Sequence, residues 1–125
     1  MNTILSSSPI YLLSFTKSFF SSNIILLNKS NELQSIIKSN PKVIVDFFAK
    51  WCGPCRKLTP QLESLSSSNK SVTLVKVNVD NHSQLVKQYK VKALPTVFFF
   101  KNGTLKFSFV GIGAENIQNL KNNLL

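Results

Sequence analysis

Apolar residues recur along this chain in two rhythms, and the points where one gives way to the other mark its elements. Ile24 to Leu27 is a short apolar run that reads as a strand. Asn28 to Asn31 supplies polar helix-start residues. Leu33, Ile36 and Ile37 then stand at i, i+3 and i+4, one face of a helix that Asn40-Pro41 brings to an end. Val43 to Ala49 is almost continuously apolar, as expected of a strand covered on both faces. Leu58, Leu62 and Leu65 predict a helix from about Cys52 to Ser67. Pro60 removes one backbone donor there and should kink the helix rather than end it, because the apolar spacing continues beyond it. Ser66 to Ser71 is a polar loop.

The second half repeats the alternation. In Val72 to Asp80, Val75, Val77 and Val79 face one way and Lys76, Asn78 and Asp80 the other, which predicts a strand. His82 to Tyr89 is a short helix carrying Leu85, Val86 and Tyr89, and Pro95 to Lys101 a strongly apolar strand. Lys101-Asn-Gly-Thr104 is a hairpin signal, since Asn-Gly accepts the positive φ values of a two-residue type I′ turn. Leu105, Phe107 and Phe109 alternate with Lys106 and Ser108 in the returning strand. Gly111 and Gly113 break it, and Ile117, Leu120 and Leu124 form the apolar face of a last helix. The order is β-α-β-α-β-α-β-β-α. Helical crossovers make the first three strands parallel with right-handed connections, and the last two are an antiparallel hairpin. The expected fold is α/β, a mixed five-stranded sheet with helices on both faces.

Composition narrows the class. A chain of 125 residues suits one domain with a short extension, and 43% hydrophobic residues is too high for disorder. No stretch gives 18 uninterrupted apolar residues, so stable membrane insertion is not expected. The formal net charge is +10, but the lysines are scattered and only Lys87, Lys90 and Lys92 approach a cluster. A solvated basic surface is favoured over a nucleic-acid interface. Residues 1–22 differ from the domain expected over residues 23–125. They are serine-rich, Lys17 is their only charged side chain, and no acid occurs before Glu32. That suits an organellar targeting peptide, with a mitochondrial destination expected and a cytoplasmic extension the alternative. The missing Arg and the placement of Leu13 and Phe20 near Lys17 weaken the amphipathic pattern. A secretory signal fits less well, since no Lys or Arg precedes Ile10 to Thr16 and no Ala occurs before Ala49.

The chemistry centres on the two cysteines, Cys52 and Cys55. A bridge closing so short a loop is a poor staple. A structural zinc site needs four ligands, and the chain offers only this pair, His82 and a few carboxylates. Haem attachment needs His after the second Cys, where Arg56 stands. Redox chemistry fits better. Cys52 follows a strand at a predicted helix start, where unpaired N–H groups and the helix dipole favour thiolate, the species that attacks disulfides. Cys55 lies one turn deeper, close enough to resolve a mixed disulfide, and Gly53-Pro54 sets the turn between them. Asp46 is an acid inside a buried strand, so its pKa should be raised. It is either an acid satisfied locally at a strand end or a proton acceptor for Cys55.

Trp51-Cys-Gly-Pro-Cys55, preceded by Val45-Asp46-Phe47, resembles the active-site segment of the thioredoxin family. The resemblance runs over roughly residues 23 to 125. Pro60 matches the family's helix-kinking proline, and Lys76 the lysine that pairs with the buried acid. Val91 to Thr96 matches the segment before a cis-proline, which implies that Pro95 is cis. Phe100-Lys-Asn-Gly103 matches the hairpin, and Val110-Gly111 the glycine beside the site. Phe48 stands where many members carry a second Trp, and Ala93 replaces a frequent Gly.

The resemblance implies a thioredoxin fold and a protein-disulfide reductase. Cys52 is then the nucleophile, Cys55 the resolving thiol and Asp46 the group that deprotonates Cys55, with Cys52–Cys55 the redox-active disulfide. Gly53, Pro54 and Lys76 tune the site. Trp51, Gly53, Pro54, Leu94, Pro95 and Gly111 form a flat apolar docking surface, and the backbone of Leu94 pairs with the substrate strand. Neither a bound cofactor nor a metal is implied. Electrons come from an NADPH-dependent thioredoxin reductase, the other partners are disulfide-containing proteins, and the expected protein is a monomer. The alternatives are a thioredoxin-fold binding subunit that uses the same surface, and a secretory oxidase or isomerase, whose members often carry His or Tyr between the cysteines.

Overall fold

The computed structural model describes residues 23–124. The expected extension over residues 1–22, with its targeting peptide, lies outside the described residues. Strands β1 (Ile24–Leu26), β2 (Lys42–Phe48), β3 (Val72–Asn78), β4 (Thr96–Lys101) and β5 (Thr104–Val110) form one sheet in the order β1-β3-β2-β4-β5. β1 and β2 each pair in parallel with β3, while β4 runs antiparallel to both β2 and β5. The helices are α1 (Leu33–Ser39), α2 (Gly53–Ser68), α3 (Ser83–Gln88) and α4 (Ala114–Asn123), and a 3₁₀ turn, Ser30–Glu32, leads into α1. The mixed five-stranded α/β fold is the one the pattern predicts.

Alternation along β2 builds two cores. Val43, Val45 and Phe47 point to the face covered by Leu33 and Ile37 of α1 and Leu85 of α3, with Phe98 and Phe100 of β4 beside them. Phe47, Phe98 and Tyr89 pack ring to ring at 5.2–5.6 Å between centroids. Ile44 points the other way, among Leu58 and Leu62 of α2 and Ile117 and Leu120 of α4. Both faces of β2 are therefore dry, and Asp46, on the Ile44 face, is carried under α2.

On the face of β3 that carries Lys76, Leu74 is buried with Leu58 and Leu62, because α2 lies over this side of the sheet too. One local expectation changes. In β5 the alternation fails at Lys106. Phe99 pairs with Phe107 but Phe100 with Leu105, so one extra residue bulges and turns Leu105 out, 48% exposed, away from the core that Phe107 and Phe109 reach. The turn before it is as expected: Asn102 (φ +52°) and Gly103 (φ +82°) both take the left-handed region, as a type I′ turn requires.

Candidate active site

The strand β2 ends at Phe48, and α2 begins at Gly53, so Cys52 falls on the N-cap of α2. Its backbone is extended (φ −86°, ψ 112°), and its Sγ accepts a hydrogen bond from the Cys55 N–H at 3.2 Å. The sulfur thus takes the capping role usually filled by a Ser or Asp oxygen, and it meets the positive end of the helix. Pro54 lies in the first turn, where no backbone donor is lost. Cys52 and Cys55 are joined as a disulfide, with Cα atoms 5.3 Å apart. Both are buried, Cys52 at 6% and Cys55 at 2% exposure, and they pack with Ala49, Phe48 and Leu94.

Trp51 is 67% exposed next to the pair, while Gly53 and Pro54 are exposed on the first turn of α2. The Leu94–Pro95 peptide is cis, as the resemblance implies. The Pro95 carbonyl accepts from the Gly111 N–H at 2.9 Å, which holds the start of β4 against the end of β5. Gly111 has φ +90°, a conformation that a side chain would strain. Trp51, Gly53 and Pro54 flank the cysteines in the chain, Leu94 packs against them, and the Pro95–Gly111 hydrogen bond fixes the segment that carries Leu94. Val110 and Ile112 are exposed on either side of Gly111.

Beneath the cysteines, α2 presents Cys55, Thr59 and Glu63 at successive four-residue steps, one line along the helix. That line lies over Asp46 and Lys76, which are paired neighbours in the β2–β3 register. Thr59 Oγ1 donates to Asp46 Oδ2 at 2.8 Å. Asp46 Oδ1 is buried with no hydrogen-bond partner among the described residues. Burial drives the Asp46 pKa from 3.8 up to about 6. The Thr59 hydrogen bond and the charge of Lys76 oppose the rise, and Glu63 adds to it.

The resemblance implies that Lys76 pairs with the buried acid, but its Nζ makes its ion pair with Glu63 Oε2 at 2.9 Å. The reason is solvation: Lys76 and Glu63 are both partly exposed, and an ammonium at this edge keeps water as well as a partner. Lys76 acts on Asp46 through space, and it also lies 5.9 Å from the centroid of the Phe48 ring. A cavity of about 350 Å³, lined by Phe48, Ala49, Cys55, Thr59, Pro60 and Lys76, opens from this edge toward Cys55.

Three neighbours of the site escape the sequence reading. Thr59 and Glu63 could have been found from their spacing relative to Cys55. Asp80, whose Oδ2 accepts from Trp51 Nε1 at 3.1 Å, has no local signal, since 29 positions separate the two. His82, considered above as a metal ligand, is engaged elsewhere: Nδ1 contacts Ser30 Oγ at 2.7 Å and Nε2 the Leu27 carbonyl at 3.0 Å. No group of three or more metal-ligating side chains occurs among the described residues.

A turn carrying two buried sulfurs, one of them capping the helix, above a carboxyl group with a raised pKa, can accept and pass on a disulfide. The family model for thioredoxin matches residues 23–124 of the chain. Over 91 residues the chain is 38% identical to the thioredoxin of Mycoplasmoides gallisepticum, covering 73% of this chain and 90% of that protein. Over 82 residues it is 43% identical to the mitochondrial thioredoxin of Mus musculus, covering 65% of this chain and 49% of that longer protein. The solved structure of Plasmodium falciparum thioredoxin superposes with a TM-score of 0.72 at 33% identity, covering 79% of this chain and 96% of that one.

Proposed function

The chain belongs to the thioredoxin family and is a thiol–disulfide oxidoreductase that reduces protein disulfides by dithiol exchange, and on that premise we propose which residues carry each step. Cys52 thiolate attacks one sulfur of the substrate disulfide. A Cys52–substrate disulfide forms and the other substrate sulfur leaves as thiolate. The Cys55 thiol gives its proton to Asp46 through water in the cavity beside it, and the Cys55 thiolate attacks Cys52 Sγ. The second substrate sulfur leaves. The substrate has gained two electrons, its two thiolates take up the proton released by Asp46 and one from solvent, and the Cys52–Cys55 disulfide has formed.

A base is best placed when its pKa lies near the working pH, and a carboxyl group at about 6 is ionised at neutral pH yet close enough to hold a proton briefly. The unpartnered Oδ1 is the oxygen free to receive it. Trp51, Gly53, Pro54, Leu94, Pro95 and Gly111 dock the substrate, and Lys76 tunes Asp46. Members of this family need no bound cofactor, and disulfide-containing proteins are the substrates. We assign the electrons that reset the pair to an NADPH-dependent thioredoxin reductase and take the working form to be a monomer. No helix among the described residues is long and apolar enough to cross a membrane. The serine-rich, acid-free residues 1–22 and the likeness to a mitochondrial relative favour mitochondrial import over a cytoplasmic site. Sequencing the N-terminus of the mature protein tests that: loss of about the first 20 residues in a mitochondrial fraction supports it, and an intact Met1 in the cytosol refutes it.

The observation that carries the division of labour is the capping position of Cys52 Sγ on α2. Alkylation of the reduced protein at pH 7, with the modified cysteine identified by mass spectrometry, tests it. Cys52 should react at least about tenfold faster than Cys55, as expected of a thiolate favoured by a helix N-terminus. Faster modification of Cys55 would reverse the roles.

A further inference from the structure

Charge is distributed unevenly among the groups around the cysteines. The chain has 15 Lys and Arg against 5 Asp and Glu. Two of those acids cannot meet a docked partner freely: Asp46 is fully buried, and Glu63 is tied to Lys76. Glu32 lies in the turn before α1. Asp80 stands at the docking surface with its carboxylate engaged by Trp51, and Glu115 is in the first turn of α4, four residues past Gly111.

Against these stand five exposed cations on the segments that frame the docking surface. Lys50 precedes Trp51. The Arg56 guanidinium donates to the Lys50 carbonyl through Nε (3.2 Å) and Nη2 (3.0 Å), which fixes both residues at the foot of the active-site turn. Lys57 follows on the first turns of α2. Lys90 and Lys92 are exposed on the segment that leads to Leu94 and Pro95. None of the five forms an ion pair among the described residues. The centre of the surface is apolar, with Trp51, Val110 and Ile112 exposed. An apolar centre bordered by more cations than acids, with the carboxylate of Asp80 already engaged by Trp51, both steers and orients a negatively charged partner.

We infer that this face selects protein disulfides whose flanking residues are acidic. The inference rests on the docking surface assigned above. The substrate's cystine would lie over Cys52 between Trp51 and Leu94. Its Asp and Glu side chains would reach Lys50, Arg56 and Lys57 at the active-site turn and Lys90 and Lys92 on the segment before Leu94. These contacts stay solvated, so they act mainly on the rate of productive encounter and should be sensitive to salt.

The test is the kcat/KM of the full chain for three disulfide peptides of equal length whose cystine is flanked by Glu, by Ser or by Lys. In low salt the Glu peptide should be reduced roughly tenfold faster than the Lys peptide, with the Ser peptide between them. At 1 M salt, where screening acts over about 3 Å, the spread should collapse. Lys90→Asn with Lys92→Gln should narrow the Glu-to-Lys ratio several-fold; Asn suits position 90 because its φ is +54°. Lys50→Gln with Lys57→Gln supplies a second pair. Equal rates for the three peptides, or a ratio that survives both double variants, would overturn the inference while leaving the reductase reading intact. Failure to reduce any of the three would overturn both.

Discussion

Replacing Asp46 by Asn removes one charge from the centre of the molecule and changes the shape hardly at all. In the folded protein the Asp46 pKa stands at about 6 against 3.8 for an unperturbed carboxyl, chiefly because burial penalises the ionised form. The folded state therefore holds this proton more tightly than the unfolded chain does. The contribution to stability is fully present below pH 3.8 and is lost as the pH rises through about 6. At 1.36 kcal/mol per pH unit, the rise of roughly two units is worth about 3 kcal/mol, most of it lost between pH 4 and pH 7. Urea unfolding of the oxidised protein should be followed at one-unit steps from pH 4 to pH 8, in wild type and in Asp46→Asn. Other carboxyl groups contribute equally to both proteins, so the difference between the two curves isolates Asp46. Relative to the variant, wild type should lose about 2–3 kcal/mol across this range. Parallel curves would refute the claim that Asp46 is a destabilised buried charge at neutral pH, and with it the reason for treating the residue as a tuned base.

Two further substitutions probe the surroundings of that group. Thr59→Val removes the hydrogen bond that stabilises the Asp46 carboxylate. The inflection in the same pH–stability comparison should move up by roughly one unit, since a hydrogen bond to a charged group is worth about 1.5–3 kcal/mol. Thr59→Ser should restore it, and no movement in the Val variant would show that the hydrogen bond does not matter. Phe47→Ala empties a fully buried ring site between Tyr89 and Phe98 and should cost about 3–5 kcal/mol of unfolding free energy in the same assay. A loss under 1 kcal/mol would mean that this core collapses into the gap.

Local chemistry made much of the fold and part of the site legible in the sequence. Asn102-Gly103 names its turn because few residue pairs accept two positive φ values, and the structure has both. Asp46 stands out because an acid in an apolar strand has to be accounted for. What escaped depends on packing between distant segments. Thr59 and Glu63 look like ordinary polar positions of an amphipathic helix until α2 is laid across β2 and β3, when the polar stripe turns inward onto Asp46 and Lys76. The same closure gives Lys76 a partner on a helix instead of the strand neighbour with which it is in register. Asp80 meets Trp51 only after β3 has brought it to the same end of the sheet. Leu105 turns outward against its alternating pattern because that pattern carries no mark of the bulge that shifts its phase.

Trapping separates the attacking thiol, Cys52, from the resolving one, Cys55. Cys55→Ser, reduced and mixed with a disulfide-containing protein, should accumulate a mixed disulfide through Cys52. The product is visible as a reductant-sensitive adduct whose mass is the sum of the two proteins. Cys52→Ser should accumulate none. If Cys55→Ser keeps its circular dichroism spectrum and still forms no adduct, or if the adduct forms through Cys55 in Cys52→Ser instead, the assignment of roles is wrong.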